Sequence, residues 1–247
     1  MIPGNDEENG WILKILERKT QLVRPPVANV DTVLIVLAAA SPDPDPLLAD
    51  RLMVNARRAG LNVRLAINKC DLNPDGARFL VSQYAGADVA PMAVCAKTGE
   101  GVEALRLSLR GTIHALAGQS GAGKSSLINA LYGLGQETGA ISRKIERGKN
   151  TTRHCELLPL GDGGMVLDTP GFSLLETELF DPSELKTYYP EFQPMEGQCY
   201  FQGCMHASEP KCAVRDAVNE GKINSDRHAR YVALLDEMKT RWRNRYD

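Results

Sequence analysis

Three scarcities bound what this 247-residue chain can be. It has no long apolar run: nothing approaches the roughly 20 consecutive residues a membrane-spanning helix needs. Its opening, Met1-Ile2-Pro3-Gly4-Asn5-Asp6-Glu7-Glu8, is acidic where a secretory signal would be basic and then apolar. A soluble, intracellular, cytoplasmic protein with no membrane partner is therefore expected. Positive charge is not in excess either, since 29 Lys and Arg face 31 Asp and Glu for a net charge of −2. No global field draws the chain to nucleic acid, and any RNA contact must be local. Cysteine is sparse and uneven: of six, Cys199, Cys204 and Cys212 cluster, and in an intracellular protein that pattern points to a metal before disulfides. Cys70, Cys95 and Cys155 read as small apolar residues.

What is present is organised around Gly118-Gln119-Ser120-Gly121-Ala122-Gly123-Lys124-Ser125-Ser126, which fits GxxxxGK followed by Ser. It stands between a strand-like run, Ile113 to Ala117, and a helix-like one, Ser125 to Tyr132, which is the context a phosphate-binding loop requires. The glycines let the backbone wrap phosphates at a helix N-terminus, Lys124 reaches the β- and γ-phosphates, and Ser125 can ligate Mg²⁺.

Around this loop the chain alternates. Strand-like runs at Val33–Leu37, Val63–Ile67 and Pro91–Val94 interleave with helix-like ones at Leu47–Ala59, Pro74–Tyr84 and Val102–Leu109, and further strands are expected at Cys155–Leu160 and Met165–Leu167. This predicts an α/β fold with a doubly wound, mostly parallel sheet. Beyond Phe172 the strand pattern stops, and a Cys/His cluster and a long amphipathic helix follow. The expected division is 1–29, a short N-terminal piece; 30–172, the nucleotide domain; and 173–247, a small helical domain.

Asn68-Lys69-Cys70-Asp71 fits NKxD at the end of a predicted strand, where open α/β sheets bind ligands. The Asp71 carboxylate can accept from the N1–H and 2-amino group of guanine, a donor pair adenine lacks, so GTP is favoured over ATP. Alone, these four residues also fit a surface turn capping a helix. Cys95-Ala96-Lys97 after the next strand is the companion element, with the Ala96 N–H placed to meet guanine O6. Asp168-Thr169-Pro170-Gly171 is DxxG: Asp168 is expected to hold Mg²⁺ through water and the Gly171 N–H to meet the γ-phosphate. Of Thr151 and Thr152, Thr152 is favoured to close on Mg²⁺ and the γ-phosphate. The guanine-reading elements precede the phosphate loop, so the order is circularly permuted, which is tolerable because domain termini are often close.

Cys199, Cys204, His206 and Cys212 form CxxxxCxHxxxxxC, three thiolates and an imidazole suited to tetrahedral structural Zn²⁺, with no coordination position left for a catalytic water. Tyr231, Leu234, Leu235, Met238 and Trp242 mark one apolar face of the last helix. Lys239, Arg241, Arg243 and Arg245 beside Trp242 and Tyr246 fit either a solvated helix end or a local RNA contact.

The permuted NKxD, SAK-like, P-loop and DxxG order, followed by the cysteine–histidine cluster and preceded by Arg24-Pro25-Pro26-Val27-Ala28-Asn29-Val30-Asp31, closely resembles the ribosome small subunit-dependent GTPase A family (RsgA, also called YjeQ or YloQ). The resemblance implies a Mg²⁺-dependent GTPase that binds the small ribosomal subunit and its rRNA late in assembly and is stimulated by it. It also implies contact with ribosome assembly factors and a monomeric state. Family members begin with an OB-fold domain, of which about the last strand, Gly10 to Val23, is expected here. Asn150 stands where the family carries a His, and Phe172 follows DxxG, so no water-orienting Gln comes from that site. The alternative is a GTP- or GDP-dependent module that binds RNA or protein with little hydrolysis.

Overall fold

The computed structural model describes residues 2–3, 10–11, 13–15, 17–22, 27–133, 156–160, 163–168 and 179–245. Two short antiparallel pairs lead the chain, β1 (Ile2–Pro3) with β2 (Gly10–Trp11) and β3 (Gln21–Leu22) with β4 (Val27–Ala28). The single strand expected over this region is thus broken. Among the described residues, 13–15 and 17–20 are not in a strand, and Leu13 and Ile15 are 67% and 88% exposed.

The centre is a six-stranded sheet in the order β7-β6-β5-β8-β10-β9: Met92–Ala93, Asn62–Asn68, Thr32–Ala38, Ile113–Gly118, Met165–Asp168 and Glu156–Pro159. Every neighbouring pair is parallel except β9 with β10 at one edge. Strand β5 reads Thr-Val-Leu-Ile-Val-Leu-Ala and is buried throughout, as a central parallel strand covered on both faces must be. Its side chains alternate. Val33, Ile35 and Leu37 pack with α1 (Pro46–Arg58) and α2 (Pro74–Gln83), whereas Leu34, Val36 and Ala38 pack with α3 (Val102–Leu109) and α4 (Lys124–Tyr132). Helices α1 and α2 start where the sequence supplies both a cap and a proline: Asp45 accepts from Leu48 N–H ahead of Pro46, and Asn73 accepts from Gly76 N–H ahead of Pro74.

After the sheet the chain changes character. Two proline-initiated 3₁₀ turns, Pro182–Tyr188 and Pro190–Met195, precede α5 (Ala213–Asn219) and α6 (Ser225–Arg243). Tyr231, Leu234, Leu235 and Met238 of α6 are buried in a third cluster with Phe180, Leu185, Tyr189 and Phe192, and that cluster also takes in Val54 of α1. Helix α1 is therefore apolar on two sides: Ala49, Leu52, Met53 and Ala56 meet the sheet, and Val54 meets the C-terminal helices. Among the described residues no helix is long and apolar enough to cross a membrane.

Candidate nucleotide site and metal centre

The phosphate loop sits at the carboxyl end of β8, in the middle of the sheet, where the chain connections diverge to opposite sides. Glycine is required at its start. Gly118 has φ +130, and a Cβ there would lie 2.2 Å from the carbonyl oxygen of Val36 on the adjacent strand. Gly123 has φ +89, and its Cβ would lie 2.5 Å from the Asn68 side chain. Helix α4 then begins with no side-chain cap and no acidic residue in its first turn, leaving its N–H groups for an anion. The Lys124 ammonium folds back over the loop, donating to Gly118 O at 2.8 Å and Gln119 O at 2.9 Å, and burial lowers its pKa. Ser125 and Ser126 at the start of the helix are exposed, as are Ser120 and Gly121 of the loop.

The NKxD and Cys-Ala-Lys elements are wired into this loop by Asn68. Its side chain is buried, donates to Ala122 O at 2.9 Å and accepts from Ala96 N–H at 3.0 Å. One amide thereby joins three loops. Lys69, at φ +62, donates to Gly121 O at 2.8 Å and also to Ser41 O, while Gln119 donates to Asp43 O at 2.9 Å. The 41–45 segment that opens α1 is in this way tied to both the guanine motif and the phosphate loop. Asp71 is exposed, and Cys95 donates its thiol to the Asp71 carboxylate at 3.1 Å while accepting from Thr98 N–H at 3.4 Å. Lys97 is exposed beside them. Asp168 ends β10, parallel to β8, so its backbone reaches the same edge of the sheet. The side chain of Asp168, together with Asn150, Thr151, Thr152, Gly171 and Phe172, lies outside the described residues.

Asn68 is the site residue whose work differs most from a ligand contact. Asn68→Ala leaves the buried Ala122 C=O without its partner, at about 1–3 kcal/mol, and the part-buried Ala96 N–H without its own, at a smaller cost. A thermal melt should show a lower Tm, and the further rise on adding GDP should shrink, because the three loops no longer share a strut.

The cysteine–histidine cluster forms in the C-terminal helical part. The four candidate ligand atoms of Cys199, Cys204, His206 and Cys212 lie within 4.8 Å of one another. Cys199 Sγ is 3.6 Å from His206 Nδ1 and 3.9 Å from Cys212 Sγ, and Nδ1 is 3.3 Å from Cys212 Sγ. A tetrahedral zinc site with bonds of about 2.0–2.3 Å has ligand–ligand edges of roughly 3.5–3.8 Å, so the donor set fits that ion. Burial raises the Cys204 thiol to about 12, raises Cys212 and lowers His206, each shift favouring the uncharged form. A dication is the natural compensation for thiolates here. The sequence reading did not single out Glu209. Its carboxylate accepts from the N–H groups of Met205 and Ala207 at 2.9 Å and Ser208 at 3.1 Å, and so pins the loop around His206.

A second feature has no short-range sequence signal. Asp50 of α1 is fully buried and pairs with Arg227 and, at 2.7 Å, with Arg230 of α6, while Tyr84 donates to it at 2.9 Å. Glu191 takes Arg227 Nε at 2.8 Å, and Arg51 pairs with Glu237. Burial works to lower the Arg227 pKa, but Asp50 and Glu191 outweigh it and hold the guanidinium above its ordinary range. Arg227 also stacks 4.4 Å from the Tyr189 ring.

A profile of the RsgA GTPase family matches residues 15–178. The chain belongs to that family. It is 44% identical over 240 residues to the small ribosomal subunit biogenesis GTPase RsgA of Agathobacter rectalis, covering 96% of this chain and 80% of that one. To the protein of the same description from Geobacillus sp. (strain WCH70) it is 45% identical over 245 residues, covering 96% and 83%. Among solved structures it resembles YjeQ of Thermotoga maritima, with a TM-score of 0.77, 38% identity and coverage of 91% and 77%. It also resembles YloQ, described as a circularly permuted GTPase, with a TM-score of 0.75, 32% identity and coverage of 96% and 78%. The RsgA family fold, a circularly permuted GTPase sheet followed by a helical part bearing a Cys₃His cluster, is the architecture described above.

Proposed function

We propose that this chain hydrolyses GTP to GDP and phosphate, with Mg²⁺, in the biogenesis of the small ribosomal subunit, and that the subunit stimulates the reaction. The observation that carries this reading is the three-loop junction at Asn68, which brings a guanine motif against a phosphate loop at one sheet edge. The relatives' printed function supports it.

In this reading Asp71 accepts from guanine, with Asn68, Lys69, Cys95, Ala96 and Lys97 forming the base site. Residues 118–126 wrap the phosphates. The Lys124 ammonium leaves Gly118 O and Gln119 O to meet the β- and γ-phosphates, where it and the backbone N–H groups stabilise charge on the transferring phosphoryl. Ser125, Thr152 and Asp168 would hold Mg²⁺, which would supply charge neutralisation at the phosphates, and the Gly171 N–H would meet the γ-phosphate. The cysteine–histidine set would hold one structural Zn²⁺. We assign residues 30–172 to the GTPase domain and 173–247 to the zinc domain, and take the protein as a cytoplasmic monomer working beside other assembly factors.

Multiple-turnover hydrolysis with and without purified small subunits tests this. The GTP rate should climb to a plateau as subunits are added, and ATP should not compete at equal concentration. A rate indifferent to saturating subunits, with GTP still bound, would turn the assignment toward a nucleotide-dependent binding module.

A further inference from the structure

Helix α1 meets the nucleotide loops at its first turn and the C-terminal helices along its flank. It grows out of the 41–45 segment, whose carbonyls take side chains from both nucleotide motifs: Lys69 of NKxD donates to Ser41 O, and Gln119 of the phosphate loop donates to Asp43 O at 2.9 Å. Asp45 then caps the helix through Leu48 N–H at 2.9 Å, and Tyr84 donates to Pro46 O at 3.1 Å. The start of α1 is thus fixed against both motifs.

The helix carries four charged residues, Asp50, Arg51, Arg57 and Arg58, and each engages the C-terminal part. Asp50 pairs with Arg227 and Arg230, and Arg51 with Glu237. Arg57 donates to Tyr188 O at 2.7 Å, and the Arg58 guanidinium stands 4.5 Å from the Phe180 ring centre. Gln83, the last residue of α2, joins them by donating to Asp226 at 3.0 Å and accepting from Arg230 at 2.8 Å. The apolar share of α1 in this contact is Val54, buried, and Leu47, partly buried. A junction made chiefly of polar groups can part and re-form, because water replaces the partners it loses.

Thirteen residues of helix form a stiff rod about 20 Å long, so a tilt at one end is felt at the other. While α6 holds α1, the carbonyls of Ser41 and Asp43 are preset for Lys69 and Gln119. When α6 lets go, those acceptors drift, and nucleotide must spend binding energy to restore the loops. We propose that α1 couples the guanine site to the C-terminal helices, so that nucleotide binding and the docking of α6 on α1 strengthen each other. The route passes through the base motif and the phosphate loop and uses no γ-phosphate contact, so GDP and GTP are coupled alike. Coupling is reciprocal: whatever pulls α6 from α1 releases nucleotide, and nucleotide tightens α6. This rests on the guanine-nucleotide part of the proposed function.

The test is fluorescence titration of the full chain with methylanthraniloyl-GDP and a non-hydrolysable GTP analogue bearing the same label. Arg230→Met leaves Arg227 and Tyr84 on Asp50 and should weaken both nucleotides about five- to tenfold, within the usual range of coupling between sites. Glu237→Gln removes the charge opposite Arg51 and should weaken both about twofold, as suits a half-exposed pair. Glu220→Gln, whose exposed pair with Lys222 lies off α1, should change nothing. Conversely, amide exchange along α6 should slow on adding GDP, and slow less in Arg230→Met. The inference is overturned if Arg230→Met and Glu237→Gln bind both nucleotides as the parent does, if Glu220→Gln loses as much, or if exchange in α6 ignores GDP. It is overturned equally if the GTP analogue alone is weakened, since the coupling then runs through the γ-phosphate. A parent that binds neither nucleotide overturns this inference and the nucleotide reading together. A parent that binds both, with a GTPase rate indifferent to subunits, counts against the proposed function alone.

Discussion

Asp50→Ala is expected to cost about 3–5 kcal/mol of folding stability, the range for removing one partner from a buried ion pair. The carboxylate is the hub of the contact between α1 and α6, and its loss leaves Arg230 only the Gln83 amide oxygen, takes one of two anions from Arg227 and leaves the Tyr84 hydroxyl only Pro46 O at 3.1 Å. Urea unfolding followed by tryptophan fluorescence measures it, since Trp242 lies on α6. A drop in the slope, or a separate early transition, is expected as well, because the two halves of the chain meet at this network. Asp50→Asn keeps an acceptor for Tyr84 and should cost less. If Asp50→Ala shifts stability by under about 1 kcal/mol, the pairs are no stronger than exposed ones and the apolar contact at Val54 carries the interface.

Lys124→Ala should lower kcat for GTP by about 10²–10³, the effect of deleting one preorganised charge-stabilising donor. The fold should survive, because the amine's partners, Gly118 O and Gln119 O, belong to a loop whose shape is set by glycine φ values and by the Asn68 strut. Single-turnover kinetics separate the two contributions. A fall in kcat at modestly changed KM places the ammonium on the developing charge, whereas a rise in KM alone would make it a ground-state phosphate clamp.

The parallel sheet and its helices were legible in the sequence because their signals are local. A run such as Val33–Leu37 can be little other than a buried strand, and the helix-like runs beginning at Leu47 and Pro74 are α1 and α2. The phosphate loop and NKxD were legible for a related reason: GxxxxGK is a backbone requirement written in glycines, and Gly118 shows it directly, since any side chain would meet Val36 O. The Cys₃His cluster declared itself by residue type and spacing. The N-terminal alternation did not become one strand over the described residues 13–15 and 17–20, because alternation alone does not supply a pairing partner.

By itself, then, the sequence determined the strands of the central sheet, the helices, the glycine-rich loop before α4 and the residues of the Cys₃His cluster, all properties of neighbours along the chain. Only the tertiary structure decided that Asn68 binds the three loops together, that Cys95 leans on Asp71, and that Asp50 locks α1 to α6 from a position 177 residues before Arg227. The physical reason is common to all three. A polar side chain becomes decisive when packing removes water from around it, and which distant groups then answer it depends on how the helices and strands assemble, which no local pattern encodes.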